Sequence, residues 1–152
     1  MITKDFTIKI IDLGFGINLA GRVRDSFNRT VLGAEVYRPP EMNDKKAYQG
    51  QDTDIFSFGV MMLAMSLFCY PFRTASMDDD DYRKLCDQPE FFWPKYEQSN
   101  VFSQDFKSLI GLTTAKSPEL RIPMADLLGH KWMRGEVIKK EDFAAKYNYI
   151  MD

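Results

Sequence analysis

A carboxylate followed by a glycine turn is the first arrangement in this sequence that could do chemistry. Asp12 precedes Leu13 and Gly14, and a carboxylate oxygen is a donor that hard divalent cations prefer. The glycine lets the backbone turn sharply beside it. An Asp-Gly turn is common, so the motif alone is a weak indication of a metal site. His130 is the single histidine, which excludes a histidine pair or a multi-histidine metal site in this sequence and favours a structural role beside Trp132.

Four consecutive aspartates at positions 78–81 are the densest charge in the sequence. Such a run could attract a basic substrate or a cation. Acidic side chains are also favoured in the first turn of a helix, where they face its positive end. We therefore predict a solvated helix start here, in a polar helix over residues 78–86.

Three spaced motifs carry a resemblance to a known family. Asp12-Leu13-Gly14 is followed by G-A-E-V-Y-R-P-P-E at residues 33–41 and by D-I-F-S-F-G at residues 54–59. In this order and spacing they resemble the D-F-G and A-P-E landmarks of eukaryotic protein kinases. S-P-E-L-R at residues 117–121 and H-K-W-M at residues 130–133 resemble patterns of the calcium/calmodulin-dependent kinase group.

The resemblance implies a mainly α, partial protein-kinase-like fold. It would be the helical C-terminal lobe with a short N-terminal β-strand pair and without the N-terminal lobe. Residues 1–136 would form the partial kinase domain, and residues 137–152 a charged C-terminal tail that can be helical. The sequence contains no G-x-G-x-x-G loop, no V-A-I-K lysine and no H-R-D-x-x-x-x-N loop. Phosphoryl transfer depends on positioning and electrostatic stabilisation by such elements, so we expect no catalytic residue in this chain and no activity from it alone.

The resemblance also implies a nucleotide site and a regulatory site. Asp12 would bind the Mg²⁺ that bridges the ATP phosphates, and Gly14 would shape the same cofactor-binding turn. Thr30 corresponds to a regulatory phosphosite, whose phosphate cationic side chains would clamp to order the loop; a solvated loop threonine is the alternative. The cations near Thr30 in the sequence are Arg22, Arg24 and Arg29.

A substrate-binding segment is implied at Gly33, Ala34 and Tyr37. Its pattern favours serine/threonine over tyrosine specificity, and the implied partner is a protein substrate. Ala34 stands where the family has a threonine whose hydroxyl links to the catalytic Asp, so a hydrogen bond important for full activity is missing.

Three further residues are implied to be structural. Glu41 and Arg121 would form a buried bidentate ion pair. Asp54 corresponds to an Asp that accepts hydrogen bonds from the backbone of the catalytic loop. Capping of the following helix, by Asp52, Thr53 or Asp54, would by itself also explain this residue.

Composition places the chain among soluble globular proteins. Of 152 residues, 45% are hydrophobic and 28% charged, which indicates one folded domain and excludes a disordered chain. The net charge of -2 gives no reason to expect a nucleic acid or an anionic membrane as partner. Cys69 and Cys86 form no C-x-x-C motif, which favours unpaired thiols in a reducing compartment. With no signal peptide visible, we expect a cytoplasmic protein.

Local patterns predict the elements that position these residues. The charge-free run over residues 55–72 could be a membrane span or a buried central helix, and we favour a helix from about Asp54 to Phe68. The other predicted elements are a strand over Thr7–Ile11, a loop over residues 18–32, a short helix opened by Pro39-Pro40, a helix over residues 106–112 capped by Ser103, and a helix over residues 123–130.

The apolar side chains of the central helix point in all directions. We expect that they cannot all find cover among the short helices of this chain, so that it self-associates, or binds a partner, a chaperone or a missing kinase half. Three functions stay open: a serine/threonine kinase of which this is a part, a non-catalytic kinase-like binding module, and a degenerate truncated product.

Overall fold

The computed structural model describes residues 1, 3, 5–16, 28–97, 102–139 and 141–145. The chain divides into two compact units, residues 1–18 with 135–152, and residues 19–134. The described residues include the α-helices α1 Pro40–Asn43, α2 Gly50–Leu67, α3 Asp80–Asp87, α4 Pro89–Phe92, α5 Pro94–Glu97, α6 Gln104–Thr113 and α7 Met124–Leu127. Residues 141–145 in the C-terminal tail are also helical. Short 3-10 helices cover Glu35–Tyr37, Pro118–Leu120 and Trp132–Arg134. The mainly α class expected from the sequence is confirmed.

The strand expected over Thr7–Ile11 is not formed among the described residues. The terminal amine of Met1 donates to the Lys9 carbonyl at 2.9 Å, and the Lys9 amide donates back to the Met1 carbonyl at 2.9 Å. Ile8 and Ile10 are 79% and 89% exposed. A strand is stable only when it pairs along its edges and buries an apolar face, so β-branched composition alone did not produce the expected strand pair here.

The central helix α2 begins earlier than expected. Gln49 is the extended residue before it, with φ −95° and ψ 136°. The carbonyl of Gln49 accepts hydrogen bonds from the Thr53 amide at 3.2 Å and the Thr53 hydroxyl at 3.1 Å. The expectation that Asp52, Thr53 or Asp54 caps the helix is therefore wrong, because all three lie inside its first turns. The two acids still lie near the positive end of the helix dipole.

The core of the larger unit forms where α2 packs against α6 and against the helices that follow α2 in the sequence. Phe56, Val60 and Leu63 on one face of α2 are fully buried. Gly59 lies on the same face, and a Cβ added there would come within 2.2 Å of Thr113 Oγ1. Only glycine lets α2 and α6 approach this closely. The remaining core side chains are Leu67, Phe72, Ala75, Tyr82, Leu85, Phe92, Trp93, Phe106 and Ile110.

The helix starts of α3 and α6 are capped by side chains. The Asp79 carboxylate accepts from the Tyr82 amide at 3.1 Å, and the Ser103 hydroxyl accepts from the Phe106 amide at 3.1 Å. Asp80 pairs with Lys84 in the next turn, and Asp81 pairs with Lys95 at 2.8 Å. The predicted cap at Ser103 and the predicted helix start in the aspartate run are both confirmed.

None of the helices in the described part of the chain combines the length and apolar character that crossing a membrane requires. The charge-free run instead supplies α2 and the buried turn after it, where Pro71 and Phe72 lie in the interior.

Candidate functional site

Asp12 adopts an unusual backbone conformation in the smaller unit. Its φ is 61°, in the left-handed region that non-glycine residues rarely occupy and that Asp tolerates better than most. Its side chain is exposed, and a Cβ added at Gly14 would lie 3.3 Å from Asp12 Oδ1. Backbone conformations of this kind concentrate at functional sites.

The residues present do not make a complete magnesium site. Across the described residues no group of three or more His, Cys, Asp or Glu side chains could hold a metal ion. Mg²⁺ requires octahedral oxygen coordination and is commonly held by one or two carboxylates with waters and phosphates. Asp12 could therefore serve as one ligand of a shared site, and no chemical step is assigned to a metal in this chain.

The segment that carries Thr30 is attached to Tyr48. The amides and carbonyls of Asn28 and Tyr48 exchange two hydrogen bonds of 2.8 and 3.0 Å in an isolated antiparallel bridge. The Tyr48 hydroxyl donates to the Thr30 carbonyl at 2.6 Å. Tyr48 is only 6% exposed, and burial raises the pKa of its hydroxyl. The Thr30 side chain itself is exposed.

Arg38 holds the next part of the segment. Its Nε donates to the Leu32 carbonyl at 3.1 Å and to the Gly33 carbonyl at 2.9 Å, and its Nη2 also donates to Gly33. Gly33 has φ 76°, a conformation that a side chain would strain. Ala34 follows with an exposed side chain that has no hydroxyl.

Tyr37 joins the segment to the central helix. The Ser57 hydroxyl on α2 donates to the Tyr37 carbonyl at 2.9 Å. The Tyr37 and Tyr70 rings meet edge to face at a centroid distance of 6.0 Å. Burial, followed by the hydrogen bond to Tyr70, raises the pKa of Tyr37. The Tyr37 amide closes a 3-10 turn on the Ala34 carbonyl at 3.0 Å, so the proposed substrate segment has a defined shape.

Glu41 and Arg121 form the predicted ion pair across 80 residues of sequence. The two guanidinium nitrogens Nη1 and Nη2 donate to the two carboxylate oxygens, each at 2.7 Å. The Arg121 and Glu41 side chains are 1% and 7% exposed. Arg121 also donates to the Ala115 and Asp52 carbonyls at 3.0 and 3.1 Å, and its Cζ lies 5.0 Å from the centre of the Phe56 ring. The pair is therefore fully hydrogen-bonded, as a buried charge pair must be.

Asp54 lies on the surface of α2, one turn after its start. Although Asp54 is exposed, neighbouring protein atoms partly desolvate its carboxyl group, and this desolvation raises the pKa of Asp54. Its expected role, accepting hydrogen bonds from a catalytic loop, stays a prediction.

His130 contacts its neighbours as a structural residue would. The Trp132 amide donates to His130 Nδ1 at 3.3 Å, and His130 Nε2 lies 3.4 Å from the Ser108 hydroxyl on α6. The Trp132 ring packs against Phe106 with a centroid distance of 5.4 Å.

The C-terminal half of α2 and the residues just after it carry an exposed apolar surface. We call Met61, Met65, Phe68 and Tyr70 the α2 end surface; with Tyr37, Ala64 and Cys69 they line an open cleft of about 320 Å³. Phe68 is 89% exposed and has φ 57°, although it is a bulky residue. The expectation that α2 cannot cover all its side chains is met on one face, where Met61 and Met65 are exposed, while Phe56, Val60 and Leu63 are buried.

Sequence reasoning missed the three side chains that hold the segment. Arg38, Tyr48 and Ser57 all donate to backbone carbonyls. Every residue has a backbone carbonyl, so the residue types do not indicate which carbonyls act as acceptors. Arg22 and Arg24, expected to face a phosphate on Thr30, lie outside the described residues. Arg29 is exposed.

Comparison with known proteins identifies the family. Residues 1–133 match the protein kinase domain family. Maternal embryonic leucine zipper kinase of Xenopus laevis is 30% identical over 97% of this chain and 21% of its own length. CBL-interacting protein kinase 11 of Oryza sativa subsp. japonica is 27% identical over 99% of this chain and 29% of its own length. Serine/threonine-protein kinase SRK2C of Arabidopsis thaliana is 30% identical over 82% of this chain and 35% of its own length. The chain thus spans about a fifth to a third of these relatives, and it belongs to the protein kinase domain family.

Proposed function

We propose that this chain forms the lower, helical part of a serine/threonine protein kinase, which transfers phosphate from ATP to protein hydroxyls. In this role Asp12 and Gly14 contribute to the Mg-ATP site, and residues 33–37 seat the protein substrate. The observation that carries the proposal is the defined segment over residues 30–41, tied at its far end to the helical core by Glu41 and Arg121. The curated relatives that resemble the chain support the serine/threonine class.

The 152-residue chain by itself should be catalytically silent. Its sequence has no glycine-rich loop, no strand lysine for the phosphates and no catalytic loop. Kinase catalysis depends on those parts being positioned together around the nucleotide. Nucleotide binding by the isolated chain should accordingly be very weak. Within a cell, the proposed place of action is the cytoplasm.

Thr30 is the proposed regulatory residue. Its exposed side chain is accessible to a modifying kinase, and a phosphate would add nearly two negative charges beside Arg29. Ala34 lowers the activity expected of a complete enzyme, because no hydroxyl is present there to link the substrate segment to a catalytic Asp.

A non-catalytic binding module is the second candidate. The α2 end surface favours it, since exposed apolar patches on soluble proteins often mark interaction sites. One outcome separates the two candidates. A kinase part should support phosphate transfer when the glycine-rich loop, the strand lysine and the catalytic loop are supplied, and a binding module should not.

A chimera tests the proposal. The catalytic loop and upstream lobe of a related serine/threonine kinase would be fused to Met1 of this chain, and radiolabelled phosphate transfer to protein serine and threonine measured. We expect transfer by the chimera, none by the chain alone, and a loss of about a hundredfold or more in Asp12→Asn, which removes a charge at the nucleotide phosphates.

Asp44→Asn is the matched control, because Asp44 is an exposed carboxylate whose ion-pair partner among the described residues is the exposed Lys46. It should leave transfer unchanged. A chimera that folds, as judged by circular dichroism and gel filtration, and yet transfers no phosphate would favour the binding module.

A further inference from the structure

We propose that the groove between α3 and α6 is a docking site for a basic segment of another protein. The segment inserts a large apolar side chain into the groove and sets a neighbouring arginine or lysine beside Glu90. The groove shares no lining residue with the cleft at the α2 end surface. It would therefore recruit a partner without taking part in phosphate transfer.

Two adjoining cavities of about 490 and 180 Å³ form the groove. Leu85, Cys86 and Gly111 line both cavities, so the cavities meet at these residues. The larger one has the volume of an ordinary ligand pocket. Its apolar wall comes from α3, α4 and α5 and consists of Leu85, Pro89, Trp93 and Pro94.

Gly111 leaves an open place in the wall that α6 contributes. A glycine inside a helix lowers stability relative to alanine. At Gly59 the close approach of Thr113 accounts for the glycine, whereas a Cβ at Gly111 would meet no atom within 4 Å. Packing within the chain thus gives no reason for this glycine, and the space beside it can hold a side chain from a partner.

The charges around the groove favour a cationic partner. Lys107 pairs with Glu97. Lys116 pairs with Asp87 at 3.0 Å. Glu90 is exposed and forms no ion pair with the other residues that the structure describes. The last turn of α6 adds the negative end of that helix's dipole.

The form of the groove fits an apolar anchor with a charged neighbour. Lys107 Nζ lies 5.6 Å from the centre of the Trp93 ring, so a charged rim stands beside an apolar floor. Protein interfaces commonly combine a buried apolar anchor with a polar rim. An acidic segment would bring a like charge to Glu90, which lowers its affinity relative to a basic one.

NMR titration of the ¹⁵N-labelled 152-residue chain at low salt tests the proposal, with the blocked dipeptide acetyl-phenylalanyl-arginine amide as the probe. We expect saturable shifts of the Gly111 amide and the Trp93 indole N–H, with a dissociation constant on the order of 1 mM for so small a ligand. The dipeptide with glutamate in place of arginine should bind about fivefold more weakly, because it lacks the exposed ion pair.

Gly111→Leu fills the groove at the point where the chain leaves open space. It should weaken binding of the arginine probe about tenfold or more. Ala125→Leu is the matched control, since it adds similar bulk at an exposed residue of α7 and should leave binding unchanged. Circular dichroism checks that both variants are folded.

Glu90→Gln tests the charge separately and decides the question if Gly111→Leu does not fold. It should remove the preference for the arginine dipeptide over the glutamate dipeptide. Asp126→Asn neutralises an exposed carboxylate on α7 and should keep that preference. Unchanged preference in Glu90→Gln would overturn the proposed place of the basic side chain.

Three further results would overturn the proposal: shifts that do not saturate, equal binding of the two dipeptides, and loss of binding in Met65→Ser, which would move the site to the α2 end surface. Gel filtration gives the last alternative. A dimer of the wild-type chain that Gly111→Leu abolishes would assign the groove to a second copy instead of a basic partner. None of these measurements needs nucleotide or turnover, so their result stays separate from that of the kinase chimera.

Discussion

Residues 7–15 and residues 55–67 are both rich in large apolar side chains, yet the structure treats them differently. In the first stretch Ile8, Ile10 and Phe15 are exposed and no strand forms among the described residues. In the second, Phe56 and Leu63 are fully buried within an 18-residue helix. The two stretches differ in the elements packed against them. Helix α2 contacts α6 and the 3-10 turn Glu35–Tyr37, so its apolar side chains have packing partners. Apolar composition becomes stability only where packing partners exist.

The sharpest test of this contrast compares one truncation in each stretch. Phe56→Ala should lower the free energy of unfolding by about 3–5 kcal/mol, since it leaves a cavity in the core. Ile10→Ala should change it by less than about 0.5 kcal/mol, because the side chain is already in water. Urea denaturation followed by circular dichroism measures both. Similar losses in the two variants would show that residues 7–15 are packed in solution.

If Phe56→Ala does not fold, Phe56→Leu serves in its place. It is a smaller change of shape, for which we expect a loss of about 1.5 kcal/mol or less.

The second test concerns the buried Glu41–Arg121 ion pair, in which Arg121 also donates to the Asp52 carbonyl near the start of α2. Arg121→Ala should cost about 3–5 kcal/mol, because it leaves the buried Glu41 carboxylate without a partner. In a double-mutant cycle with Glu41→Ala, the two losses should be far from additive. The exposed pair of Lys116 with Asp87, at 3.0 Å, is the control: Lys116→Ala should cost less than about 1 kcal/mol. Additive losses at Glu41 and Arg121 would contradict the coupling seen in the structure.

The third test applies one substitution to two glycines. Gly59→Ala places a methyl group 2.2 Å from Thr113 Oγ1, whose rotamer is held by a hydrogen bond to the Leu109 carbonyl at 2.8 Å. We expect a loss of about 1–3 kcal/mol from overpacking. Gly111→Ala meets no atom within 4 Å and should stabilise α6 by about 0.5–1 kcal/mol. Thermal denaturation should give shifts of opposite sign, and shifts of the same sign would contradict the close approach of α2 and α6.

The smallest effects come from the helix starts. Ser103→Ala should cost about 1 kcal/mol, because the Phe106 amide loses its acceptor. Asp54→Asn should change the free energy of unfolding by less than about 0.5 kcal/mol, since Asp54 lies inside α2 and caps nothing. A loss at Asp54 equal to that at Ser103 would restore Asp54 as the capping residue.

These contrasts show which parts of the fold the sequence could predict. The cap at Ser103 and the helix start in the aspartate run were predictable because the signals of a helix start are local residue types. The Glu41–Arg121 pair was predictable only because both residues lie in family-like motifs, since nothing local links positions 80 residues apart. The early start of α2 was missed because Gly50 is a poor helix residue and the acids after it resemble caps, whereas tertiary packing outweighs such propensities.

The proposed substrate segment was predictable in position but not in its means of support. Residues 33–41 carry a recognisable pattern, while the hydroxyl of Tyr48 and the guanidinium of Arg38 bind main-chain carbonyls that any sequence would offer. For Asp12 the sequence indicated one metal ligand, and the structure adds only its left-handed backbone. Its role as a metal ligand stays a prediction.

The different exposure of the two cysteines allows the α2 end surface to be labelled selectively with a fluorophore. Cys69 is exposed and lines the cleft beside Met65 and Phe68. Cys86 is half-buried, and burial raises the pKa of its thiol, which leaves less reactive thiolate at neutral pH. A maleimide fluorophore should therefore attach at Cys69 first, without mutagenesis. Its emission would then report in real time whether another molecule, or a second copy of the chain, covers this end of the helix.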